Sequence, residues 1–224
     1  MKKKMGFIGI VALVSVLMFG MVPAQAGLLS IGGMAGYYNP NFGEINDDLF
    51  EEINALTGMD LKFKGGLAYG LAVGYDISPN FKIRGEYNTF TSKTSDSYLY
   101  DFGLGEEKWE FKLTTTPIIL SGIYRISPDI PLCPYIGAGI GYFDTKISCK
   151  GKKYFLGMLV DEYSDSDKDK PIGYQVLGGV EFGGEGFSLA AEARYIIAEA
   201  EMEDWGTKVD LGGLFAGLIA SIKF

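Results

Sequence analysis

Histidine is absent from all 224 residues. That removes the usual general base of serine triads and of lipases and acyl transferases, along with the commonest metal ligand. Cysteine is scarce, with only Cys133 and Cys149. If 132–146 is one strand, the run from Cys133 to Lys146 spans about 43 Å, whereas a disulfide needs Cα atoms within about 7 Å. The two thiols are therefore not expected to pair, and without histidine they make a poor metal site. Positive charge is in deficit as well, with 20 Lys and Arg against 28 Asp and Glu. Nucleic acid, whose phosphates call for a basic surface, is not an expected partner.

Long apolar runs are lacking except for one, Met5–Val22, preceded by Lys2, Lys3 and Lys4 and followed by Ala24-Gln25-Ala26. Basic start, apolar middle and small-residue cleavage site predict a secretory signal peptide over 1–26. An uncleaved anchor is the alternative, disfavoured by the Ala-x-Ala ending. No cysteine follows closely, which disfavours a lipoprotein. Residues 27–224 then form one domain. Removing the three lysines takes the formal charge from −8 to −11.

What the chain has in abundance is alternation. In GGLAYGLAVGYD (65–76), Leu67, Tyr69, Leu71, Val73 and Tyr75 share one face, while Gly66, Ala68, Gly70, Ala72 and Gly74 share the other. Period two marks a strand. Eight such segments are expected, near 28–38, 66–77, 81–92, 109–126, 132–146, 171–182, 187–199 and 208–224. Their connections alternate between tight turns (78–80, 127–131, 183–186) and longer polar, acidic stretches (39–65, 93–108, 147–170, 200–207). An even number of strands with short turns on one rim and long loops on the other describes an up-and-down barrel. In the first long connection, Ile45, Leu49, Ile53 and Leu56 fall at helical spacing, so a short amphipathic helix is expected, stopped near Gly58. It is expected to pack against the rim or neighbouring loops; a lid or plug over the mouth is the alternative.

Which face points inward decides the class. In 81–92, Phe81, Ile83, Gly85 and Tyr87 alternate with Lys82, Arg84, Glu86 and Asn88; in 187–199, Phe187, Leu189, Ala191, Ala193, Tyr195 and Ile197 alternate with Ser188, Ala190, Glu192, Arg194 and Ile196. A soluble lipocalin-type binder would turn the apolar face inward and leave the glycine and alanine face of 66–74 to water. The reverse puts bulky residues against lipid and gives small residues and paired charges a narrow interior. Lys82, Arg84, Glu86, Glu192 and Arg194 are the lumen candidates, with Gln175 and Glu181 joining them. They either close the lumen as a salt-bridge network or line a narrow path for ions. In the last strand Leu214, Ala216, Leu218, Ala220 and Ile222 form one apolar face ending at Phe224. Its other face, with Val209, Leu211, Phe215 and Ile219, is apolar too. This leaves Leu211, Phe215 and Ile219 as candidates for an apolar lumen lining. Aromatic residues near strand ends, among them Tyr37, Tyr75, Trp109, Tyr124, Tyr142, Phe182, Tyr195 and Trp205, suit interfacial girdles.

With that C-terminal Phe224, its alternating apolar neighbours and the phrase PYIGAGIGY (134–142), the chain resembles the bacterial outer-membrane β-barrel family, the OmpA-like, OmpW-like and porin-like small barrels. The resemblance implies an all-β, eight-stranded antiparallel up-and-down transmembrane barrel with the short helix in its first long loop. It implies outer-membrane lipid as surroundings, insertion machinery reading the C-terminal strand at Phe224, long loops outside the cell and termini in the periplasm. A structural or surface-interaction scaffold is the first expectation, and the acidic loops leave room for an extracellular ligand. A narrow OmpW-like channel for small or apolar solutes is the alternative.

Motifs of turnover chemistry are not expected. Gly137, Gly139 and Gly141 lie in an alternating strand with no helix after them, so they are not read as a phosphate loop. Asp165, Asp167 and Asp169 start like a calcium loop, but Lys170 stands where glycine is required and Val176 where the last glutamate should be. A solvated acidic loop is expected instead. No catalytic residue, metal or cofactor is assigned, and the protein is not expected to be an enzyme.

Overall fold

A computed structural model describes residues 29–126, 132–183 and 186–224. The signal segment expected over 1–26, the turn at 127–131 and the middle of the turn at 183–186 lie outside the described residues. The strands are β1 (Leu29–Pro40), β2 (Gly66–Asp76), β3 (Phe81–Tyr100), β4 (Gly105–Arg125), β5 (Leu132–Phe155), β6 (Met158–Asp169), β7 (Ile172–Gly183), β8 (Phe187–Ile197), β9 (Glu199–Met202), β10 (Thr207–Asp210) and β11 (Gly213–Lys223). One helix, α1 (Gly43–Thr57), lies between β1 and β2.

Antiparallel pairing runs β1-β2-β3-β4-β5-β7-β8-β11 and returns to β1, which closes an eight-stranded barrel among the described residues. Closure leaves no free edge, the condition for a sheet in hydrocarbon. The two faces are sorted as in a membrane barrel. Leu67, Tyr69 and Leu71 point outward and are 64, 57 and 60 % exposed, whereas Arg84, Glu86, Glu192 and Arg194 are 6, 3, 4 and 3 % exposed. A lipocalin has the opposite arrangement and is excluded. The outward apolar band runs on β5 from Leu132 to Tyr142. At strand rise and barrel tilt that length spans about 25 Å of membrane height.

Two stretches expected as long loops are ribbons. β3 and β4 stay paired out to Tyr100 and Gly105, and β5 turns at Leu156 and Gly157 into β6, which pairs back down to Thr145 and Asp169. The hydropathy signal fades because both faces become polar: Lys93, Ser95 and Ser97 outside, Ser92, Thr94 and Asp96 inside. The side-chain period of two continues unmarked. β8 and β11 are shorter than expected. They break at Ala198 and at Gly212, and β9 and β10 form a separate small hairpin above them. Gly213 has φ +154°, and a Cβ there would lie 2.2 Å from the Asn39 carbonyl oxygen. Only glycine fits that bend.

Candidate functional site

The lumen is filled by two tiers of charge. The upper tier joins strands on opposite sides of the ring, with Arg84 and Glu86 from β3 and Glu192 and Arg194 from β8. Arg84 Nε donates to Glu86 Oε1 at 2.6 Å and its Nη2 lies 2.7 Å from Glu192 Oε2. Arg194 completes the square by binding both Glu86 and Glu192. Tyr135 Oη donates to Glu192 Oε2 at 2.9 Å, and Arg194 Nη1 donates to Gln175 Oε1 at 3.3 Å. The Arg194 guanidinium also lies 4.7 Å from the centre of the Phe215 ring. Two cations and two anions cancel, so the square itself carries no net charge.

The lower tier sits toward the short-turn rim. Arg125 Nη2 reaches Asp76 at 3.0 and 3.2 Å and Glu181 at 3.7 Å. Lys223 Nζ binds Glu181 at 2.7 Å, and Lys82 Nζ is 3.8 Å from Asp76. Lys82 and Glu181 thus belong with Asp76, Arg125 and Lys223 and not with the arginine square. Sequence reasoning passed over these last three because they stand at strand ends. Arg125 nonetheless shares its parity with Ser121 and Ile123, opposite to the outward Leu120 and Tyr124. The small face of β2 makes room for this tier: a Cβ on Gly74 would come 2.6 Å from Ser30 Oγ and 2.7 Å from Lys82 Cε.

Phe215 and Ile219 face the lumen, and both are buried. Leu211 lies beyond the barrel strand at the mouth, where its carbonyl accepts the Tyr38 hydroxyl. Two small cavities lie on either side of the upper tier. One of about 30 Å³ is lined by Met34, Phe143, Arg194 and Phe215; one of about 20 Å³ is lined by Arg84, Tyr135, Glu181 and Ile219. A volume of this order holds a water or two.

Above the lumen, α1 closes the mouth. Ile45 and Phe50 are fully buried, and the Phe50 ring meets Phe63 at 5.3 Å and the inward Phe111 of β4 at 4.9 Å. The helix thus packs against the neighbouring segments above the rim, the 59–64 stretch, β10 and the inward face of β4. Leu56 points away, 79 % exposed; Phe50, not Leu56, is the anchor. The strap 59–64 is stitched on both edges. Asn46 and Asn54 each exchange two hydrogen bonds with the backbone of Phe63 and Leu61, while Asp60, Lys62 and Lys64 N–H groups donate to the β3 side chains Asp96, Thr94 and Ser92. The N–H groups of Asp60 and Ser97 hold the Asp96 carboxyl below the usual carboxylate range.

Other expectations need correcting here. Asp165, Asp167 and Asp169 are not a free acidic loop. On a strand they share one face, and they accept from Trp205 Nε1, Asp204 N–H and Glu201 N–H, which fastens the segment 199–205. Trp109 and Trp205 are not girdle residues; both pack around Phe111 in the mouth cluster. Cys133 and Cys149 are free and buried. Burial, with Asp165 opposite, pushes the Cys149 thiol up to about 12. Phe224 is exposed at the end of the chain, its N–H donating to the Leu29 carbonyl at 2.8 Å.

A closed ring that is greasy outside and ionic within defines a transmembrane β-barrel protein. The chain belongs to the family described as outer membrane protein beta-barrel domain, which it matches over residues 11–213, and its place is the bacterial outer membrane. Among solved structures it is similar to Neisserial surface protein A, with 16 % identity, TM-score 0.52, and 89 % of this chain and 100 % of that one covered. It is also similar to the outer membrane protein OprG from Pseudomonas aeruginosa, with 13 % identity, TM-score 0.54, and coverage of 89 and 96 %. No curated protein matches the sequence.

Proposed function

We propose that this barrel is a closed membrane anchor whose work is done by the ribbons it holds above the outer membrane. The reading rests on one observation: the Arg84-Glu86-Glu192-Arg194 square spans the lumen between two cavities of about 30 and 20 Å³. Glu86 and Glu192 are each held by two arginines, which occupies both carboxylates within the square. We therefore assign no turnover chemistry. By the short-turn rule for such barrels, the ribbons face outside and the termini the periplasm. Export by a cleaved segment 1–26 and insertion guided by β11 and Phe224 go with that orientation.

The interacting end is the ribbon tip. Leu99, Leu104, Leu156, Met158, Leu159 and Val160 all stand exposed there, and Leu156 N–H donates to the Leu104 carbonyl at 2.8 Å, which brings the two tips together. Exposed apolar groups clustered in water mark an interaction surface. The ligand expected at the acidic loops is thus better sought at this apolar tip.

Planar-bilayer recording tests the anchor reading against the narrow channel. The protein should give no ion steps, and Arg84→Ala with Arg194→Ala should open a conductance or unfold the barrel. Steady single-channel conductance in the unmodified protein would overturn it.

A further inference from the structure

Besides its tip, the sheet of β3, β4, β5 and β6 has an inner face whose upper part is open: Tyr163 is 52 % exposed, and Asp161 and Asp165 are exposed with it. Pairing sets the inward side chains in rows. Asp96, Trp109, Gly151 and Tyr163 stand in one row; Glu107 is the next inward residue above Trp109 on β4, and Asp161 and Asp165 flank Tyr163 on β6. Four carboxylates thus surround two rings. The Trp109 and Tyr163 rings lie 6.3 Å apart and tilted by 57°. Gly151 makes this possible: a Cβ there would come 3.1 Å from the Trp109 ring, so the indole rests across the bare glycine of β5.

The four carboxylates accept only from neutral groups. Tyr98 Oη donates to Glu107 at 2.8 Å, Glu162 N–H to Asp161 at 2.9 Å, Trp205 Nε1 to Asp165 at 3.1 Å and Asp60 N–H to Asp96 at 2.8 Å. Among the described residues none of the four forms an ion pair. Lys153, the one inward cation of the upper sheet, is engaged over the Tyr100 ring, 4.9 Å from its centre. Tryptophan is the strongest aromatic acceptor of cations. Trp109 nonetheless holds none of the ring-bound cations among the described residues.

Unpaired acids around an open aromatic pair are complementary to a cation. Guanidinium suits both elements, since it stacks on rings and forks onto carboxylates, whereas an ammonium is a compact, strongly hydrated charge. The spacing points to several such groups on one ligand. Side chains on one face of an extended chain recur roughly every 7 Å, the same step that separates Asp161, Tyr163 and Asp165 on β6. A second copy of this chain does not qualify, because its three arginines, Arg84, Arg125 and Arg194, are all buried in the barrel.

We propose that Trp109 and Tyr163, with Asp96, Glu107, Asp161 and Asp165 around them, form a docking surface for an extended, arginine-bearing peptide segment of another protein. It is separate from the apolar tip above it and does not depend on whether the lumen conducts.

The test uses the full barrel in phosphatidylcholine nanodiscs and a rhodamine-labelled octapeptide of alternating Arg and Ser, with binding read by fluorescence anisotropy. Binding should saturate and should weaken with added salt. The variant D161N/Y163S, two exposed changes above the barrel strands, should lower affinity about tenfold. The same peptide with Lys in place of Arg should bind at least about threefold more weakly. D47N/D48N, which removes more acid from the exposed face of α1, should leave affinity unchanged. The heat-modifiable gel shift checks that each variant is folded; should D161N/Y163S misfold, Glu107→Gln serves in its place, with a loss of about threefold. No saturable binding, full affinity in the sheet variant, equal affinity for the lysine peptide, or an equal loss in D47N/D48N overturns the proposal. N-acetylarginine amide is the second arm: if it binds as tightly as the octapeptide, this is a site for a small cation and the peptide assignment falls.

Discussion

Arg84, Glu86, Glu192 and Arg194 show what alternation alone can reveal about a residue and what it cannot. Parity places a charge on a face; it does not say which charges meet, because partners such as Arg84 and Glu192 are 108 positions apart. The square is therefore legible as a set of inward charges, while its separation from the Lys82, Arg125 and Glu181 tier depends on barrel register. Breaking the square has a definite expectation. Glu192→Gln leaves two buried arginines to one carboxylate and should lower stability by about 3–5 kcal/mol, measured by urea unfolding in lipid vesicles. Adding Arg84→Met should recover part of that loss. A silent Glu192→Gln would mean that water already solvates the square. At Cys149, the raised thiol in a buried position should resist iodoacetamide at pH 8 in the folded barrel and react after unfolding, read by peptide mapping. Rapid modification of the folded protein would show that the mouth cluster opens.

Among elements, α1 was readable and its seat was not. Ile45, Leu49 and Ile53 give the helical period, but Phe50 finds its place only because Phe111 and Phe63 meet it from segments distant in the sequence. The ribbons were hidden for the opposite reason, since polar side chains on both faces erase the hydropathy contrast by which strands are recognised. The strap 59–64 depends on Asp96, whose folded carboxyl titrates below its unfolded value. Its contribution is complete above the ordinary carboxylate range near 3.9 and is lost as pH falls through the lower folded value. Pepsin should therefore cut near Leu61 and Phe63 only at the acid end of its range, and Asp96→Ala should move that onset to higher pH. An unchanged onset would mean that Asn46 and Asn54 hold the strap alone.

At the scale of the molecule, the barrel class and its inside-out polarity could be read by setting β2 beside β3 and β8, because lipid outside and a narrow lumen inside assign the small face of β2 and the charges of the other two, Arg84 among them, to the same side. The exported form should start at Gly27, and the mass of protein purified from outer membranes checks it; a mass including residues 1–26 would indicate a retained anchor. What no single strand discloses is that only β3, β4, β5 and β6 continue far past the bilayer. β5 alone runs about 40 Å of strand beyond Tyr142, while β1 ends at Pro40 and β2 starts at Gly66. The exterior is thus a crescent parapet instead of a full collar. A large body approaching the cell meets a tall shield from one compass direction and a low sill from the other, so whatever grips the crest must come over the shield's top or from its outer side.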